Sequence, residues 1–128
     1  MIDGEAESEW SGVRSVPYRE RRTPDMWAQL ITMRLKPGRE GDLGKVLEGL
    51  RAAEQPDSGL VRSTTMRDQA DPSRVSTLVV FESEEIARAR ENDPRRQDGL
   101  EAVRAMMADM FDGPPEFIDF EVVAENLG

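Results

Sequence analysis

Between Met26 and Val123 the apolar positions switch between alternation and a spacing of three or four, and each switch falls on a turn signal. Met26 to Lys36 alternates, with Trp27, Ile31, Met33 and Leu35 on one face and Ala28, Leu30 and Thr32 on the other. Both faces are largely apolar, so both are expected to be covered. Pro37-Gly38 ends this strand. A helix is predicted from Arg39 to Glu54, because Leu43, Val46, Leu47, Leu50 and Ala53 form one stripe and Glu40 and Asp42 suit the positive end of its dipole. Gly44 and Gly49 each weaken such a helix by about 1 kcal/mol relative to alanine.

After the loop Gln55 to Gly59, Leu60 to Arg67 reads as a second strand. Alternation sets Leu60, Arg62, Thr64 and Met66 against Val61, Ser63 and Thr65. A turn at Asp71-Pro72 leads to a third strand, Arg74 to Glu82, with Val75, Thr77, Val79 and Phe81 on one face. Ser83 is an N-cap for a short helix ending near Asn92, and Asp93-Pro94 restarts it. Leu100, Val103, Met106, Met107, Met110 and Phe111 give the second piece a broad apolar stripe. Asp112 to Pro115 stops it, and Phe117 to Val123 makes the last strand.

Strand, helix, strand, strand, broken helix, strand is the order of a ferredoxin-like α+β domain. Right-handed crossovers place both helices on one face of a four-stranded antiparallel sheet. The other face keeps apolar side chains with no helix to cover them, and a second copy is the simplest cover. A homodimer is therefore expected. The domain spans 26–124, preceded by a polar extension, 1–25, and followed by a short tail, 125–128. The extension carries Trp10, Val13, Val16 and Tyr18 as its apolar anchors, and is either a mobile leader or an arm laid on the body or a partner.

Composition narrows the chemistry. The 128 residues include no histidine and no cysteine, which removes most thiol, haem, zinc and triad chemistry. A formal charge of −9 argues against nucleic acid and anionic membranes as partners. No apolar run approaches the roughly 18 residues of a membrane span. Residues 1–25 lack the apolar core of a secretory signal, and Arg21-Arg22 has no apolar stretch after it, so a cytoplasmic location is expected. Phosphate loops, nucleophile elbows and paired catalytic carboxylates are absent, and the Glu82, Glu84 and Glu85 cluster at a helix start is explained by the dipole rather than by a metal.

Several short stretches resemble the antibiotic biosynthesis monooxygenase family of dimeric α/β-barrel proteins. They are Met26-Trp27-Ala28, Lys36-Pro37-Gly38-Arg39, Arg67-Asp68 with Asp71-Pro72, Val80-Phe81-Glu82-Ser83-Glu84-Glu85, Asp93-Pro94 and Gly113-Pro114-Pro115, in that order. The resemblance implies a pocket between sheet and helices and a dimer whose sheets close into a barrel. Some members oxidise aromatic polyketides without metal or flavin. Others degrade haem, using an asparagine, a tryptophan and a histidine at positions that fall near Ile31, Arg90 and Leu100. None of the three matches, so haem degradation is not expected.

A cofactor-free oxygenase needs an apolar pocket and polar groups that hold an oxyanion. Arg62, Arg90 and Asn92 are the candidate catalytic residues. Trp27, Ile31, Met33, Phe81, Leu100 and Met107 are the candidate lining of a small aromatic ligand's pocket. Arg34, Gln29, Thr64 and Thr77 are further polar groups within the same elements. The same residues also suit core packing and solvated ion pairs. Two functions therefore stand: a cofactor-independent monooxygenase with no bound cofactor or metal, or a non-catalytic homodimeric binding or regulatory protein.

Overall fold

The computed structural model describes residues 25–128 and, before them, the backbone of 2–3 and 5–6, which pair in parallel as two short strands. The expected arm with its anchors Trp10, Val13, Val16 and Tyr18 lies outside the described residues. Strand β1 (Trp27–Arg34) runs through the Pro37-Gly38 corner into a 3-10 turn (Glu40–Asp42) and helix α1 (Leu43–Ala53). Strands β2 (Leu60–Arg67) and β3 (Arg74–Phe81) form a hairpin. Helices α2 (Glu84–Glu91) and α3 (Pro94–Met110) follow, then β4 (Glu116–Glu121). The sheet order is β2-β3-β1-β4, antiparallel throughout. This is the expected ferredoxin-like α+β architecture.

Local chemistry accounts for the boundaries. The Ser83 hydroxyl accepts from the Ile86 amide at 3.1 Å and starts α2. The Asp93 carboxylate accepts from the Arg95 amide at 2.9 Å, and Pro94 takes the first position of α3, where its missing N–H costs nothing. Helix α1 begins at Leu43 rather than Arg39, because the preceding residues wind into the tighter 3-10 turn. Arg39 clamps that turn. Its guanidinium reaches Asp42 at 2.6 Å and Asp109, near the end of α3, at 2.8 Å.

Gly49 has a packing reason. A Cβ there would stand 2.5 Å from Val103 Cγ2, so the glycine lets α1 and α3 lie close together. Between these helices and the sheet sits the main core, with Leu35, Leu43, Val46, Val75, Leu100, Val103 and Met110 buried. Met33 and Met107 pack against it, partly buried. A second cluster under α2 joins Trp27, Val79, Phe81 and Ala87, with Ile31 and Leu60 against it.

Simple alternation fails at one place, and the consequence reaches the candidate site. Leu60 pairs with Phe81, but Arg62 pairs with Val80, so Val61 is an extra residue in β2. The bulge turns every later residue of β2 over. Ser63, Thr65 and Arg67 join Val79, Thr77 and Val75 on the helix-covered face. Arg62, Thr64 and Met66 join Val80, Leu78 and Ser76 on the opposite face. Among the described residues no helix covers that opposite face. A third cluster there buries Met26, Ala28 and Val80, with Val61, Leu78 and Val122 beside it. Farther along, Met66, Ile118 and Phe120 are left 44%, 53% and 45% exposed. Among the described residues, no helix is long and apolar enough to cross a membrane.

Candidate functional site

The helix-covered face reads across the strands in rows set by the register. Glu121, Trp27, Phe81 and Leu60 form one row. Asp119, Gln29, Val79 and Ser63 form the next, and Phe117, Ile31, Thr77 and Thr65 the third. Helix α2 lies over the first row. Ala87, small enough to approach the sheet, is buried against Trp27 and Phe81, whose rings are tilted by 38° with centroids 6.3 Å apart.

The arginines on either side of Ala87's stripe each stand over one ring. The Arg88 guanidinium carbon is 4.9 Å from the Trp27 ring centroid, and that of Arg90 is 5.0 Å from the Phe81 centroid. Their anchoring differs. Arg90 Nη2 and Nε grip Glu54 at 2.6 and 2.9 Å, with side chains only 15% and 19% exposed. Burial pushes the Glu54 carboxyl up, but hydrogen bonds from Arg90 and Ser58 and the charges of Arg90 and Arg96 outweigh it and hold the group below its ordinary value. Arg88 makes longer contacts with Glu84, Glu91 and Asp119 at 3.3, 3.2 and 3.3 Å, all half-exposed.

Asp119 is shared. Its Oδ1 accepts from Gln29 Nε2 at 2.9 Å, while Oδ2 faces Arg88. One step along β4, on the same face, Phe117 is 57% exposed beside Ile31. The Trp27 and Phe81 rings are thus buried beneath Ala87, Arg88 and Arg90, and the surface between α2 and β4 shows Phe117, part of Ile31 and the polar groups of Arg88, Gln29 and Asp119. Among the described residues no cluster of three or more acidic side chains is arranged to hold a metal ion.

The structure brings Trp27, Ile31 and Phe81 together in the cluster under α2 and places Met33, Leu100 and Met107 with the neighbouring main core. Arg90 lies under α2 but is committed to Glu54. Asn92 is exposed at the end of α2, its amide donating to the Arg88 carbonyl at 3.2 Å. Arg62 is not between sheet and helices. The β2 bulge puts it on the helix-free face, where it pairs with Glu125 at 3.1 Å. Thr64 shares that face, and Arg34 is turned to Asp71 and Ser73.

Arg88, Asp119, Phe117 and Glu54 escaped the sequence reading. A charged residue on a short helix reads as solvated, and Glu54 meets Arg90 from 36 residues away.

Solved structures share this fold. A mutant of SnoaB, a cofactor-independent oxygenase from Streptomyces nogalater, superposes with a TM-score of 0.62 at 18% identity, over 79% of this chain and 96% of its own. The fold is the one these proteins share. A candidate antibiotic biosynthesis monooxygenase from Caulobacter crescentus matches with a TM-score of 0.65 at 19% identity, over 80% and 93% of the two chains. A protein of unknown function from Nitrosomonas europaea matches with 0.65 at 22%, over 83% and 97%. No protein-family model and no curated protein matches the sequence.

Proposed function

We propose that this protein belongs functionally with the antibiotic biosynthesis monooxygenase-like group and binds a small planar aromatic compound between the sheet and α2. The observation that carries the reading is the Trp27–Phe81 pair on the helix-covered face, rimmed by Arg88, Gln29 and Asp119. One of the solved structures that share the fold is a cofactor-independent oxygenase, which supports the reading. Trp27, Ile31 and Phe81 form the floor, with Met33, Leu100 and Met107 supporting it from the adjoining core. The working unit is a homodimer closed through the helix-free sheet face, where Met66, Ile118 and Phe120 await cover.

In such a reaction the substrate supplies the electrons itself. An anthrone methylene takes up one oxygen atom of dioxygen as a ketone, and the other oxygen leaves as water with the two methylene hydrogens. The test is oxygen uptake with an anthrone, with no flavin or metal added. Consumption matched to anthraquinone formation and faster than the buffer rate supports the oxygenase. Retained binding without uptake favours the rival, a non-catalytic binding protein. One observation speaks for that rival: Arg90 is already saturated by Glu54, and Arg62 faces the other way.

A further inference from the structure

Strand β4 is one edge of the sheet and β2 the other, with β1 and β3 between them. The chain does not stop at the β4 edge. The Val122 amide donates to the Met26 carbonyl at 3.2 Å, and the Val122 side chain packs on the Met26, Ala28 and Val80 cluster of the helix-free face. Three residues later Glu125 pairs with Arg62, on β2, at 3.1 Å. The two edges lie about 14 Å apart at the usual strand spacing, and the four steps between Glu121 and Glu125 reach about that far when extended. The tail therefore crosses the width of the sheet. It does so at the end where Met26, Ala28 and Val80 are buried although no helix among the described residues covers them.

The attachment is uneven. The Glu125 side chain is only 8% exposed, so its carboxylate is held out of water and depends on being paired. Elsewhere little holds the tail. Val123 and Leu127 are exposed, and no backbone hydrogen bond among the described residues fixes Val123, Ala124 or residues 126–128. A segment with few buried contacts and unpaired backbone opens at a fraction of the cost of global unfolding.

We propose that residues 122–125 are a strap over this end of the helix-free face, that Arg62 is its latch, and that the strap opens while the rest of the fold stays closed. Its release joins Met26, Ala28 and Val80 to the exposed Met66, Ile118 and Phe120, so that the apolar face open to a second copy of the chain grows.

Oxidation of individual methionines by dilute hydrogen peroxide, read by peptide mass spectrometry, tests this. Met26 lies under the strap and Met110 in the main core, so the first reports the strap and the second the whole fold. A half-exposed ion pair corresponds to at most about fivefold in an opening equilibrium. Arg62→Ala and Glu125→Ala are each expected to speed Met26 oxidation by about threefold to fivefold with Met110 unchanged, and the double variant should be no faster than the faster single one. A Met26 rate unchanged by Arg62→Ala overturns the latch, whatever Glu125→Ala does. Multiplying accelerations in the double variant overturn it as well, because Arg62 then acts apart from Glu125. Met110 accelerating in step with Met26 overturns independent opening. Met26 protection in the parent protein that rises with protein concentration overturns the strap, since a second copy is then the cover.

Discussion

Glu54, the residue that ends α1, is gripped in a two-pronged ion pair by Arg90 of α2, whose guanidinium also lies over the Phe81 ring. The pair bridges two helices at a point where neither side chain is well solvated. Removing one partner leaves the other charge buried and unmatched, which is costlier than losing an exposed pair. Arg90→Ala is expected to destabilise the fold by about 2 kcal/mol, and Arg90→Met with Glu54→Leu should recover most of that loss. Urea unfolding of the two single variants and the double variant measures the coupling. Additive losses would show that the pair contributes no more than a surface contact.

The same pair makes stability depend on acid. The Glu54, Asp71, Asp93 and Asp109 carboxyls are all held below their ordinary values. Arg90 and Ser58 do this for Glu54 against the opposing effect of burial, Ser73 and Arg34 for Asp71, Arg95 for Asp93 and Arg39 for Asp109. A group whose folded value is depressed binds fewer protons folded than unfolded, so stability rises with pH through its range. Full stability is expected above the unfolded carboxylate range of about 4, with progressive loss as pH falls through and below it. Urea midpoints between neutral pH and pH values below that range check the sign, and Glu54→Gln should flatten the slope.

Much of this architecture is legible in the residue pattern. Strand β2 occupies the predicted Leu60–Arg67, and the Ser83 and Asp93 caps stand where their side chains can meet free amides. These features are local, so short-range chemistry reveals them. The bulge in Leu60-Val61-Arg62 is different. Gly59, with a φ of 80°, stands just before it but reads as the end of the loop, and the bulge arises from how β2 meets β3, so alternation alone puts Arg62 on the wrong face. The candidate site was half legible for a related reason. Trp27, Ile31 and Phe81 follow from alternation, whereas Arg88 and Asp119 meet across 31 residues of chain and become a unit only when β4 joins β1.

The two glycines of α1 offer a contrast that separates propensity from packing. Gly44 has nothing within 4 Å of where a Cβ would stand, whereas Gly49 would drive one to 2.5 Å from buried Val103. Valine is stiff about χ1 and cannot turn its methyl aside cheaply. Gly44→Ala is expected to stabilise by up to about 1 kcal/mol, through helix propensity alone. Gly49→Ala should destabilise by about 1–2 kcal/mol despite the same propensity gain, because overpacking outweighs it. Thermal melts of the two variants at one protein concentration decide it. A stabilised Gly49→Ala would mean that α1 and α3 can separate freely, contrary to the close crossing.

The helix-free sheet face carries the prediction on assembly. Ile118, Leu30 and Leu78 stand opposite one another across three neighbouring strands, and Phe120, Ala28 and Val80 make the next row. Ala28 and Val80 are already buried, but Met66, Ile118 and Phe120 stay exposed on this one face beside half-buried Leu30 and Leu78, whereas a monomer normally leaves its exposed apolar residues scattered. A stable symmetric interface takes about 800 Å² from each partner, which a four-stranded face can supply. Charge placed at the centre of this face should cost little in the isolated domain, since Ile118 is already half-exposed, but it would be buried twice in a two-fold dimer. Ile118→Lys is therefore expected to convert a dimer to a monomer while keeping the far-ultraviolet circular dichroism of the parent. Light scattering coupled to size-exclusion chromatography reads the mass. A parent chain that already elutes as a monomer at micromolar concentration rejects the dimer, and an unchanged dimer in Ile118→Lys places the interface elsewhere.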